Sequence, residues 1–318
     1  MAYGFGRRMT QLTAPAAVGR ATLRAERASL SAQARRQGIQ NSRWLLVPAL
    51  GAVVLLFLVP LMRMLELSLF DPGFTLAHYA EFLGTGTYVR VMLNTVMLAF
   101  NVSAICLLLG YPVAYAINST SPRTRRLFLI PVMLPYLTSL MVRTYAWMVL
   151  LGTNGMVNGF LSLLGLGPYK LMNNSLGVYI GMVHVLLPLM ILPICNTMQS
   201  IDMRLVHAAE GLGATRWQAF VRVFAPLSLP GVAAGTGLVF IIALGFFVTP
   251  ALLGALENMT VSMLIENQVG VALNWGFAAA IGMVLLVATM ATLALAMLAL
   301  KAVGRTMASG GVRLLGSV

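Results

Sequence analysis

Charge is what this sequence has least of. Only 9% of its 318 residues are Asp, Glu, Lys or Arg, while 59% are hydrophobic; a soluble globular domain carries roughly a quarter charged residues, so an ordinary water-soluble fold is excluded. The two cysteines, Cys106 and Cys195, both fall inside apolar runs, which excludes a disulfide framework and makes them small buried residues. Three histidines, His78, His184 and His207, lie far apart without ligand-like spacing, and no metal site is expected. The phosphate-cradling glycine loop that ends in Lys-Ser or Lys-Thr is missing, so the chain is not expected to hydrolyse ATP. No Ser or Asp forms a nucleophile arrangement, and no catalytic residues are assigned. The chain is read as not an enzyme.

Long apolar runs are what it does have. Six of them, at 44–70, 91–118, 127–151, 176–198, 232–256 and 277–301, are near the 20 or so residues an α-helix needs to cross the hydrocarbon core. Runs such as "LALAMLAL" lack the ten-residue polarity alternation of a membrane barrel. The expected fold class is therefore all-α, a polytopic membrane protein with six transmembrane helices. Eight of the 14 prolines fall inside these runs, as suits bent helices around a pathway. The stretch 152–167 is too short to cross and reads as an interfacial or re-entrant helix.

The net charge of +13 does not point to nucleic acid, because of where it sits. Eight of the 21 basic residues lie in residues 1–43, a tail whose composition predicts disorder and contact with anionic lipid headgroups. It runs too long before the first apolar run for a signal peptide. Most other basic residues fall in alternate connections: Arg123, Arg125 and Arg126; then Arg204, Arg216 and Arg222; then Arg305 and Arg313. The connections between hold Asp71 and Glu81 against Arg90, a single Lys170, and Glu257 with Glu266. The positive-inside rule places both termini in the cytoplasm. This divides the chain into a cytoplasmic tail (1–43), a membrane domain (44–301) with a cytoplasmic loop at 199–230, and a second cytoplasmic tail (302–318).

That loop carries "HAAEGLGATRWQAFVRVFAPLSLPG". Leu205, Ala208, Ala209 and Leu212 follow one helical face. Gly211 and Gly213 interrupt it, and Thr215 is placed to cap a second helix. Trp217, Phe220, Val221 and Phe224 then recur at helical spacing, and Pro226 and Pro230 are expected to stop that helix. Trp217 and its neighbours could rest on the inner leaflet. The small face of Ala208, Ala209 and Gly213, with Glu210 and Ala214 beside it, instead lets another backbone approach and suits a docked partner.

The spacing resembles the EAA motif of permease subunits of bacterial ABC importers: a Glu-Ala-Ala triplet, a glycine four residues on, and an Ile-x-Leu-Pro ten residues later. Here these are His207-Ala208-Ala209, Gly213 and Val223-Phe224-Ala225-Pro226, with His207 where Glu is usual and Ala225 where Leu is usual. "LPYLTSLMVRTYAWMVLLGTNGMVNGFL", "LGFFVTPALLG" and "NWGFAAAIG" resemble permeases of spermidine/putrescine-type importers. The resemblance implies a type I importer permease fold in a bacterial inner membrane. The loop would be the coupling helix, shaped by Ala208, Ala209, Gly213 and Pro226 and seated in a groove of an ATPase. It further implies a second homologous permease, two ATPase subunits that bind the ATP and magnesium while this chain holds no cofactor, and an extracytoplasmic solute-binding protein. The solute it implies is a polyamine, with amino-acid or opine-like solutes as alternatives.

Substrate-pathway candidates are the charges and aromatics in or beside the runs. Arg143, Tyr145 and Trp147 share the third run, and Glu257 and Glu266 lie between the fifth and sixth. Intramembrane charge is functional by default, acids attract a polycation, and aromatic faces hold ammonium groups. Arg143 itself would repel one. An ion-coupled secondary transporter would carry ionisable groups near mid-membrane and internal repeats. Acids are absent from the middles of these runs and no repeat is evident.

Overall fold

The computed structural model describes residues 47, 48, 50–71 and 73–313, with side chains as far as 298. The tail at 1–43 and the start of the first predicted span lie outside the described residues. In chain order the helices are α1 (Leu50–Phe70), α2 (Ala77–Gly84), α3 (Gly86–Asn118), α4 (Pro122–Met133), α5 (Leu140–Leu151), α6 (Met156–Leu163), α7 (Ser175–Ser200), α8 (Met203–Gly211), α9 (Arg216–Ala219), α10 (Ala225–Leu244), α11 (Val248–Leu253), α12 (Val261–Gly270) and α13 (Trp275–Arg313). No strand occurs among the described residues. The described residues divide after Arg63 into two units, the first of which holds the beginning of α1.

Five helices are long and apolar enough to cross a membrane: α1, α3, α7, the joined α9–α10 and α13. The bent pair Pro122–Leu137 and Leu140–Leu163, whose halves meet at 95°, makes a sixth crossing if taken as one span. The third run, expected as one span at 127–151 with prolines that bend it, is thus two helical pieces at a sharp angle rather than one helix. Pro131 and Pro135 are the cause. Neither can donate to the helical ladder, the chain tightens into a 3-10 turn at Leu134–Leu137, and Thr138 and Ser139 become extended. The fifth span also differs from 232–256: its helix begins at Arg216, ends at Leu244, and is followed by the separate short helix α11. At the carboxyl end α13 stays helical to Arg313, through most of the predicted tail.

The hub is α7. Of its most apolar stretch 61% is buried, against 39% for α3 and 11% for α13. Asn174 starts the helix, its Oδ1 accepting the Gly177 amide at 3.0 Å. Met182, Leu186, Met190, Ile191, Ile194 and Met198 then fill the main core between α3 and α10. Lipid is as apolar as leucine, so burial alone does not draw helices together in a membrane; small residues that admit close backbone contact do. Gly231 and Gly235, one turn apart on α10, supply that contact. A Cβ on Gly231 would stand 2.6 Å from Thr197 Oγ1 and 2.9 Å from the Pro193 carbonyl, and one on Gly235 would stand 3.0 Å from the Met190 carbonyl. A second, smaller core joins α2, α3, α12 and α13 through Phe82, Met92, Leu264, Phe277 and Ile281, with Tyr88 stacked on Phe82.

Adding a methyl group at these contacts forces α10 off α7. Gly231→Ala and Gly235→Ala should each lower stability by about 1–3 kcal/mol. Gly237→Ala, whose Cβ meets nothing within 4 Å, should be neutral or slightly stabilising. Thermal unfolding midpoints of the three variants in detergent check this, and equal midpoints would contradict the packing.

Candidate functional site

The predicted loop is a tightly bonded turn. Beyond α7, Asp202 caps α8, its carboxylate accepting the Arg204 amide at 2.9 Å. The helix closes with three amides turned back on it: Leu212 to the Ala208 carbonyl, Gly213 to Glu210 and Ala214 to Ala209, at 3.0–3.1 Å. Gly213 takes φ +92°, a conformation that favours glycine. A Cβ there would meet nothing within 4 Å, so the dihedral and not the space calls for glycine. Thr215 and Gln218 then form a reciprocal capping box, each side chain accepting the other's amide, at 3.0 and 3.3 Å.

The second short helix, expected to stop at proline, is corrected to a continuous one. From Arg216 the chain stays helical to Leu244, through a wide π turn at Phe220–Phe224. The π turn shifts the hydrogen-bond register just before Pro226, so the helix survives the two missing amides. Only α8 lies apart; residues 216–230 are already the start of the spanning helix. Aromatic rings fasten that start to α3. Phe220 stacks between Trp217 and Phe224 at 5.7 and 5.8 Å, and Tyr115 meets Phe220 and Phe224 edge-on at 5.4 Å. One turn further, the Tyr111 and Ser228 hydroxyls are 3.0 Å apart.

The candidate residues sort accordingly. Ala209, Gly213 and Ala214, with Leu212 and Arg222, wall a concavity of about 390 Å³. Ala208 is exposed beside it, and His207 and Glu210 approach each other at 3.4 Å. Leu212 is 90% and Trp217 71% exposed. Pro226 is half-buried and outside the concavity.

At the other end of α7, about 37 Å away at 1.5 Å per residue, a second pocket of about 260 Å³ opens between α3, the amino end of α7 and the turn before α12. Its polar lining is Asn94, Ser175, Tyr179, Glu257, Asn258 and Thr260. Glu257 thus joins a built site, whereas Glu266 is exposed on α12 and lines no part of it. The third group of candidates divides. Arg143 and Trp147, one turn apart on α5, go together, and the Trp147 indole donates to His184 Nδ1 on α7 at 3.2 Å. Arg143 Nε and Nη1 are buried without a hydrogen-bond partner. Tyr145, between them in sequence, is 55% exposed on another face.

Sequence reasoning missed Asn94, Tyr179, Asn258 and Thr260, and the Tyr111–Tyr115 clamp. Asn94 carried a usable signal. With Asn101 it makes two amides seven residues apart in a largely apolar run, hence on one helical face. Asn101 does donate to the Tyr179 hydroxyl at 2.9 Å.

Comparison with known proteins places this geometry. The spermidine/putrescine transport system permease protein PotB of Haemophilus influenzae is 37% identical over 196 residues, covering 61% of this chain and 68% of that protein. PotB of Escherichia coli K12 is 34% identical over 209 residues, covering 65% and 76%. A crystal structure of a bacterial alginate ABC transporter, in complex with its pentasaccharide-bound periplasmic protein, superposes with a TM-score of 0.63 at 23% identity, over 80% of this chain and 92% of the other. Residues 106–304, from the middle of α3 into α13 and so including the capped turn, match the description "binding-protein-dependent transport system inner membrane component". The chain belongs to that family, the permease subunits of ABC importers.

Proposed function

We propose that the turn from α8 to Pro226 is the seat of an ATPase and that the spans form half of a polyamine pathway. The observation that carries this reading is the build of the turn. It is closed by caps and a left-handed glycine, exposes Leu212 and Trp217 beside a concavity, and runs without interruption into a spanning helix. Large apolar side chains exposed together mark a surface that a partner covers. Force applied there enters α10 directly, and through the Phe220–Tyr115 contacts it enters α3. His207, Ala208, Ala209, Glu210, Gly213, Ala214 and Trp217 meet the ATPase in this reading, and Pro226 shapes the exit into the membrane.

The remaining parts are those the family implies. A second homologous permease completes the pathway, and two ATPase copies bind ATP and magnesium. A solute-binding protein delivers from the side opposite α8. In this reading the chain binds no cofactor and both termini are cytoplasmic, which the placement of its basic residues supports. ATP-driven closure of the ATPases switches the spans between inward- and outward-facing states. Two relatives named as spermidine/putrescine permeases support a polyamine as the solute. One observation favours a second reading: the buried, unpartnered nitrogens of Arg143, with no acid on α5, α6, α7 or α11, suit a solute that carries a carboxylate, an amino-acid or opine-like compound.

Two outcomes are expected. Gly213→Val strains the turn without a clash. The reconstituted complex should keep its ATPase activity while uptake falls at least about tenfold, since the strain of a β-branched residue at positive φ is about 1–3 kcal/mol; wild-type uptake would count against coupling through this turn. Calorimetry on the cognate solute-binding protein should show tight binding of putrescine or spermidine. Binding only of carboxylate-bearing compounds would replace the polyamine reading with the second one.

A further inference from the structure

The pocket at the amino end of α7 has one fully charged group in its lining, Glu257, and no basic side chain. Most of its other polar atoms are committed. Asn258 donates to Ser175 Oγ at 2.7 Å and accepts the Ala255 amide at 3.2 Å. Asn94 donates to the Glu257 carbonyl at 3.4 Å.

Thr260 is the exception. It is the residue before α12, where a threonine hydroxyl ordinarily accepts an amide of the first turn, yet it makes no such bond. Thr95 on α3 has taken that task. Its hydroxyl accepts the Val261 amide at 2.9 Å and donates to the Val91 carbonyl at 2.8 Å. The Thr260 hydroxyl is left without a partner on a residue 1% exposed. Leaving a buried hydroxyl unpaired is costly, so its place in a pocket wall points to a group that arrives from outside.

The lining fixes the chemistry of that group. Helix amino ends favour anions, and α7 and α12 both begin here, but one first-turn amide at each is already taken, Gly177 by Asn174 and Val261 by Thr95, and the one charged side chain in the lining is a carboxylate. The pocket therefore offers a carboxylate, hydroxyl lone pairs and the face of Tyr179, which attracts a cation. Met97 and Leu98 supply apolar wall beside them. Asn101, bonded to Tyr179, continues the polar line along α3 towards the middle of the bundle.

We propose that this pocket binds a terminal ammonium group of a linear alkylamine, with Glu257 as counter-charge, Thr260 as neutral acceptor and the methylene chain against Met97 and Leu98. The proposal rests on the polyamine reading above and gives it a cation-selecting step at the end of the bundle opposite the turn.

The test is the ratio of putrescine imported to ATP hydrolysed. It is measured on the complete complex in liposomes with saturating, putrescine-loaded binding protein. Glu257→Gln should lower the ratio about tenfold, the loss of one charge-assisted contact, and Thr260→Val about threefold. Glu81→Gln, the same charge change at an exposed site on α2, should leave it at the wild-type value. An unchanged ratio in both pocket variants would overturn the proposal while leaving the polyamine reading intact. That includes the case where uptake and hydrolysis fall together, as they would if Glu257 only docked the binding protein. Import of another solute by the wild-type complex, with neither putrescine nor spermidine carried, would overturn the reading and the pocket's ligand with it.

Discussion

Backbone-to-backbone contact along α7 is the constraint on which both candidate sites depend. In lipid, apolar side chains gain little by leaving one hydrocarbon surface for another, so the bundle holds only where shapes fit closely. The Gly231 and Gly235 contacts on α10 and the Met190–Ile194 surface of α7 set the spacing of the three most intimate helices. Both candidate sites are then hung from the ends of α7. Asn174 and Ser175 frame the polar pocket, and Ser200 leads through Asp202 into the capped turn.

The turn is stiff for a different reason. It buries little, with Val206 the one buried residue of α8, so packing cannot hold it. Backbone closure does: an aspartate cap, three returning amides and a capping box within 17 residues, 202–218. A helix cap contributes about 0.5–2 kcal/mol, enough that the turn moves as a unit. Beyond it, the joined helix from Arg216 to Leu244 has one soft place, the π turn at Phe220–Phe224, and there the rings of Tyr115, Phe220 and Phe224 stiffen it from outside. The capped turn is thereby joined to α10 through the continuous helix and to α3 through Tyr115.

Apolar run length and the alternation of basic connections made the helical membrane fold legible without structure. Thr215 was legible as a cap and Gly213 as a bend, because both are local chemistry within a few residues. Where the reading failed, the deciding partner was distant. Pro226 and Pro230 look like stops, yet the helix continues through a π turn held by Tyr115, a hundred residues earlier in the chain. The third run looks continuous by hydropathy and breaks because two prolines four residues apart tighten it first. Thr260 carried no signal in the sequence, because its hydroxyl is left unpaired only where Thr95 arrives from α3 and accepts the Val261 amide.

His207 stands where the family motif has a glutamate, and the geometry explains why the turn tolerates it. The imidazole is 70% exposed and approaches the Glu210 carboxylate at 3.4 Å, three residues on. An exposed pair of that kind contributes at most about 0.5 kcal/mol, and no cap or returning amide of the turn involves the His207 side chain. The shape of the turn therefore rests on Gly213, Thr215 and Gln218, and the side chain at position 207 can vary without altering it. A carboxylate is still present one turn along the same helix face at Glu210.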